Sequence, residues 1–348
     1  MKKRVMSIVL MMIVSLALFA QGASEPAAAK KVLAPRPAFD SEVLAPSDEG
    51  LVTPVKNVSG KKYKIAIIGL ENNPFWVDVK AGAMDAIKEL AAVGVTAEWL
   101  LPPGDSHNSN VFGTAIESCV IQEYDAIATI AGDSGVVPFI NKAVEAGIPV
   151  ATFNSETSTV NKRLFFVGAD LYQQGVSAAK YMNQELNGKG NVCIITGFFS
   201  VEAHELRRKG FLDEIAKIAP GIKILDQVEN TDKADIAYSQ TNDFMSAHPN
   251  LNAVLVCAGG AFGAGKAIED AGKAGKIKLI NYDFVSETMA QIVSGACSGT
   301  IGQNPYAQGH DPAIRLYNYL EADVVPVAGR LLTRSDYVTK ANMAEFGF

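Results

Sequence analysis

The sequence predicts an α/β protein of two doubly wound parallel-sheet lobes, and three observations carry that prediction. Short, continuously apolar runs recur along the chain. Amphipathic stretches of about a dozen residues separate them, and the runs fall into two comparable series. Continuous apolar strands divided by helices indicate parallel sheets covered on both faces. A length of 348 residues with 48% apolar content suits two domains with sizeable cores.

The elements follow in order. Lys2, Lys3 and Arg4 precede an uncharged apolar run from Val5 to Phe19, and Leu18-Phe19-Ala20 offers a cleavage site. Residues 1–20 therefore read as a signal peptide directing export to the periplasm, with an uncleaved anchor that leaves the protein membrane-tethered as the alternative. Residues 21–60 carry alanines, prolines and scattered charge without periodicity, and read as a flexible, partly extended tether. The fold is expected to begin near Lys61. The first series of strands covers 63–69, 95–101, 125–131, 148–153 and 164–168. The second covers 191–197, 222–228, 253–257, 277–282 and 299–303. Helical patterns occupy 75–92, 110–122, 136–146, 172–187, 204–217, 235–247 and 260–272.

In open parallel sheets ligands bind beyond the carboxyl ends of the strands, so the residues that follow each strand matter most. After the first series come Asn72-Asn73-Pro74-Phe75-Trp76, Asp105, Asp133 and Asn154-Ser155. After the second come Phe198-Phe199, Glu202, Thr231-Asp232, Cys257-Ala258, Asp283 and Gln303. Asn, Asp and Ser also serve as turn and cap residues, but caps do not require rings. Aromatic faces beside amides and carboxylates suit a sugar, whose C–H faces stack and whose hydroxyls donate and accept.

Five motifs give a family resemblance. "NNPFW" after the first strand, "GIPVATFNS" at the fourth, "AHPNLNAVLVC", "AGKAGKIKLINYDF" and "GTIGQNP" occur in the order seen in periplasmic sugar-binding proteins of the ribose-binding type. The resemblance runs from about Lys61 to Thr339. It implies a type I periplasmic binding fold whose lobes are joined by a three-crossing hinge. The first lobe would hold 61–168 and 304–330, the second 169–303 and 331–348. It further implies a monomeric receptor, without cofactor or catalysis, that closes on a small hydroxylated ligand and presents it to the permease of an ABC importer or to a membrane sensor. By the same resemblance Asn73, Phe75, Trp76, Asn154, Ser155, Asp283 and Gln303 would contact the ligand. Departures from the ribose pattern add three positions. Glu205 stands where a ligand-gripping arginine is expected, while Arg207, two residues further on, matches the motif's next arginine; Asp232 falls near an aromatic position, and Cys257 or Ala258 where an asparagine would bind hydroxyls. These changes favour a larger sugar, a polyol or an amine-bearing derivative over ribose.

Other chemistries find less support. The formal charge of −6, without a basic stripe, argues against nucleic acid. Cys119, Cys193, Cys257 and Cys297 lack metal or disulfide spacing and read as core residues. "GAFGAGKA" at 260–267 lacks the Ser/Thr that a phosphate-binding loop needs. His204 reads as a helix-surface residue, and Arg207-Arg208-Lys209 as a solvated face. A secreted glycosidase-like enzyme using His204 and Glu205 is the remaining alternative.

Overall fold

Residues 42–104 and 108–348 are described by the computed structural model. The signal peptide, the tether up to residue 41 and Asp105 lie outside them. The chain lays down β1 (Leu44–Pro46), β2 (Lys64–Ile68), α1 (Phe75–Ala92), β3 (Thr96–Leu100), α2 (Ser109–Ile121), β4 (Ala126–Thr129), α3 (Val137–Glu145), β5 (Val150–Phe153) and β6 (Phe165–Gly168). It continues with α4 (Leu171–Leu186), β7 (Lys189–Thr196), α5 (Glu202–Ile218), β8 (Gly221–Glu229), α6 (Ala234–Ala247), β9 (Ala253–Val256), α7 (Ala261–Asp270), β10 (Lys278–Tyr282), α8 (Ser286–Ser294) and β11 (Gly299–Ile301). Last come α9 (Pro305–Ala322), β12 (Arg330–Leu332) and β13 (Tyr337–Val338).

Two sheets result. One has the order β1-β12-β6-β5-β4-β2-β3, the other β13-β11-β10-β9-β7-β8. Every residue of β4, β5, β6 and β9 is buried, as strands covered by helices on both faces require. Helix α9 covers the first sheet against α1, and the two backbones nearly touch. A Cβ on Gly309 would sit 1.8 Å from the Val79 carbonyl oxygen, so only glycine fits there.

The chain passes between sheets after β6, after β11 and after β12. The three passages lie side by side. Thr333 N donates to Gly168 O at 3.0 Å, and Thr333 Oγ1 to Gln303 O at 2.7 Å. The third passage falls beyond Leu332, because β12 pairs in parallel with β6 and β1 and belongs to the first sheet, whereas 331–348 were expected in the second lobe.

The expected tether needs correction over residues 42–60, which form a strap on the first lobe. Leu44–Pro46 adds an edge strand to β12. Glu42 is buried in a bidentate pair with Arg163, which also holds Glu156 at 2.6 Å. Asn318 accepts from Val55 N at 2.8 Å, and Glu321 accepts from Val58 N and Ser59 N at 2.8 Å each. The strap looks formless in sequence because side chains of α9, rather than neighbours in the chain, satisfy its backbone.

Candidate ligand-binding cleft

Loops at the carboxyl ends of both sheets meet around one cavity, with an empty volume of about 430 Å³ including the part open to solvent. The first lobe supplies Asn73, Phe75, Trp76, Asn154 and Ser155. The second supplies Leu171, Ala203, His204, Arg207, Asp232, Ala258, Gly259 and Asp283, and Gln303 stands at the hinge. The lobes touch directly across it. Glu202 N donates to Gly132 O at 3.1 Å, and Ser158 N donates to Glu202 Oε2 at 2.6 Å.

On the first wall, Asn73 Oδ1 accepts from Phe75 N at 3.0 Å, which fixes its carboxamide at the start of α1. The Phe75 and Trp76 rings meet edge to face with centroids 5.3 Å apart. Asn154 follows β5 with a φ of 63°, a left-handed conformation that Asn tolerates better than most residues. Its Nδ2 donates to Gln308 Oε1 at 3.1 Å, and Ser155 Oγ donates to its Oδ1 at 3.3 Å.

On the second wall, Asp232 and Asp283 share this left-handed geometry, with φ of 60° and 75°. Gln303 Nε2 donates to Asp283 Oδ1 at 2.7 Å, and Gln308 Nε2 to Gln303 O at 2.7 Å. Amides thus connect Asn154 on one lobe to Asp283 on the other. Burial raises the Asp283 carboxyl above the usual carboxylate range, while nearby Arg207 and the Gln303 hydrogen bond pull it back. Arg207 itself is buried, with its guanidinium 4.1 Å from the centre of the Tyr282 ring. Its Nε donates to Gln174 Oε1 at 2.9 Å and its Nη1 to Cys257 O at 3.1 Å.

Two predicted residues do not line the cavity. Glu205 is turned along α5 to pair with Arg208, Nη2 to Oε2 at 2.5 Å. Ala203, His204 and Arg207 occupy the cleft-facing stripe one turn apart, and residue 205 lies about 100° around from 204. Arg207, rather than residue 205, therefore faces the cavity. The solvated face is confined to Arg208 and Lys209, which pair with Glu205 and Asp213. The imagined His204–Glu205 hydrolytic pair does not converge on the cavity. Cys257 is fully buried, its thiol pushed up to about 12 by burial, and it contributes through its carbonyl to Arg207, while Ala258 and Gly259 form the wall.

His204 was expected at the helix surface, yet it is buried beside Asp232. Its position on the same stripe as Ala203 and Arg207 was the available signal. Gln308, which joins the two lobes from α9, gave none.

A family model described as "Periplasmic binding protein domain" matches residues 66–323. The D-allose-binding periplasmic protein of Escherichia coli (strain K12) is 26% identical over 267 residues, covering 74% of this chain and 83% of that protein. Among solved structures, an ABC transporter solute binding protein from Burkholderia graminis in complex with D-arabinose is similar with a TM-score of 0.74 and 26% identity, over 81% of this chain and 96% of that one. A chain of the XylFII–LytSN complex is similar with a TM-score of 0.72 and 27% identity, over 81% of this chain and 99% of that one.

Proposed function

This chain belongs to the periplasmic binding protein family, and from that premise we propose that it is an exported receptor that captures a monosaccharide or polyol and delivers it to an ABC importer. One observation carries the reading. The cavity lies at the carboxyl ends of two sheets, and amides, carboxylates and aromatic rings line it from both lobes. The relatives that bind D-allose and D-arabinose support a sugar as the ligand. Phe75 and Trp76 offer faces for the apolar side of a ring. Asn73, Asn154, Ser155, Arg207, Asp232, Asp283 and Gln303 offer donors and acceptors for its hydroxyls.

Function follows from a conformational equilibrium. The ligand bridges both walls, so it binds the closed form better than the open one and shifts the population toward it. The importer then reads the closed surface. Residues 1–20 would direct the chain to the periplasm. A thermal-shift screen against pentoses, hexoses, inositols and amino-sugars tests the reading, since a ligand specific for the folded form raises the melting temperature by mass action. A rise with a member of that panel is expected; no response from any of them overturns the receptor reading.

A similar chain solved in complex with a second protein supports a second reading, in which the closed receptor docks on a partner other than the permease, such as a membrane sensor. Capture of a permease by the liganded protein from its own membranes supports transport, and capture of a sensor supports signalling.

A further inference from the structure

A second chamber adjoins the main cavity, with an empty volume of about 260 Å³ including the part open to solvent. Asn73, Phe75, Ala258, Gly259 and Asp283 border both spaces, so a ligand held in the cavity can extend into the chamber. Three helices begin at its wall: α1 at Pro74 and Phe75, α7 at Gly260, Ala261 and Phe262, and α8 at Val285. A helix start carries N–H groups without intrahelical partners and a partial positive charge. In α1 and α8 an acid in the first turn, Asp78 and Glu287, answers that charge. Helix α7 has neither an acid in its first turn nor a side-chain cap. Its N-cap is Gly260, left-handed at a φ of 75°, and Gly263 N turns back to Gly260 O at 3.0 Å. The N–H groups of Ala261 and Phe262 stand at the tip of this ten-residue helix.

A second observation is independent of that helix. Thr288, in the first turn of α8, lines the same chamber and is fully buried, and its Oγ1 has no hydrogen-bond partner. An orphaned buried hydroxyl costs stability unless something in the chamber answers it. The run 260–267 brings no hydroxyl of its own to this end, and Thr288 supplies one. Backbone N–H groups only donate and a hydroxyl can donate, so the group that satisfies them all must accept. The helix charge favours a negative acceptor over a neutral one. Among the lining residues the one carboxylate is Asp283, which accepts from Gln303 and is offset by Arg207, both residues of the main cavity.

We propose that the start of α7 and Thr288 form an anion subsite, which takes a carboxylate or phosphate borne by a sugar whose ring occupies the main cavity. The inference rests on the receptor reading and narrows its ligand class to acidic sugars.

Calorimetry on the whole chain tests it. The probes are the tightest-binding neutral hexose of the thermal-shift panel, the uronic acid of that hexose and its 6-phosphate. The proteins are wild type, Thr288→Val and Thr288→Ser, each checked for a cooperative melt. In the wild type one of the two anions should bind about 10-fold or more tighter than the hexose, as charge-assisted hydrogen bonds allow. Preference for the uronate assigns a carboxylate to the subsite, and preference for the ester assigns a phosphate. Thr288→Val removes the hydroxyl and should cost the preferred anion about 10-fold, while the hexose binds as it does to wild type. Thr288→Ser keeps a hydroxyl and should keep the preference; it carries the test should the valine variant fail to fold, and a preference lost there overturns the subsite. So does a wild type that binds neither anion more tightly than the hexose. Equal losses for hexose and anion in Thr288→Val also overturn it, because a purely structural role would produce them. Failure of every neutral compound to bind instead removes the receptor reading beneath it.

Discussion

The two walls of the cleft are built from different chemistry. The first lobe presents neutral groups: the amides of Asn73 and Asn154, the Ser155 hydroxyl and the rings of Phe75 and Trp76. The second presents Asp232, Asp283, Arg207 and His204. The first lobe does not lack buried charge, but spends it elsewhere. Arg163 is held by Glu42 and Glu156, and His310 by Asp311 and Glu89, in clusters that fasten the strap and α9. One lobe therefore uses buried charge to fasten its own structure, and the other uses it at the cavity. Directional recognition should accordingly reside mainly in the second wall, with the first supplying shape and apolar contact.

Replacing Asp283 with alanine should have the largest effect. It removes a carboxylate that is positioned by Gln303 and faced by Arg207. Loss of one partner from a buried, hydrogen-bonded charged set typically weakens binding about 30-fold to more than 1,000-fold. Asp283→Ala should therefore abolish the thermal shift produced by the panel's best ligand. The unliganded protein should remain folded, with a cooperative melt below that of wild type, because Arg207 stays buried without the facing carboxylate. Retained binding would place the centre of recognition elsewhere. Phe75→Leu trims the first wall and should weaken binding about 3- to 10-fold, the range expected for loss of an aromatic contact with apolar volume retained. If the leucine variant lost more affinity than Asp283→Ala, the contrast between the walls would be reversed.

The same contrast governs what could be read from the sequence. Asn73, Phe75 and Trp76 are close neighbours at the start of α1, and Asn154 and Ser155 are adjacent, so the first wall is a linear motif. Asp232, Asp283 and Gln303 were legible because strand ends are where such folds bind ligands. Arg207 was obscured by a two-residue ambiguity within α5, where the motif pointed to position 205. Helical geometry resolves it, since residue 207 shares the buried stripe of Ala203, Gly210 and Phe211. His204 looked like a surface residue because a lone histidine carries little pattern. The strap was hidden for another reason. Its partners lie far away in the chain, as with Val55 and Asn318, 263 residues apart, and no local periodicity encodes such a contact.

Closure gives a different test. Glu202 touches the first lobe through Ser158 N and Oγ, at 2.6 and 3.2 Å, yet it does not line the cavity. Glu202→Ala should lower the closed population and weaken ligand affinity about 3- to 10-fold, in proportion to the lost competent fraction. Stopped-flow measurement should show the loss chiefly as faster ligand release. An unchanged release rate would mean that contacts with the ligand alone hold the lobes together.

The smallest effect is expected at His310, where the first lobe's use of charge can be isolated from binding. The ring is buried, with Nδ1 3.0 Å from Asp311 Oδ1 and Nε2 3.3 Å from Glu89 Oε1. Burial works against the imidazolium, but the two carboxylates prevail and raise its pKa above 6.5. A histidine raised in the fold contributes stability that is complete below its unfolded pKa and is lost as pH rises through the folded one. The melting temperature of the unliganded protein should therefore carry a component that is complete below about pH 6.5 and falls as pH rises above it, and His310→Gln should flatten it. Ligand affinity at fixed pH should be the same in both proteins, because His310 lies outside the cleft lining. An affinity change as large as that of Phe75→Leu would show that charge in the first lobe is coupled to recognition, and would undo the division of labour between the two lobes.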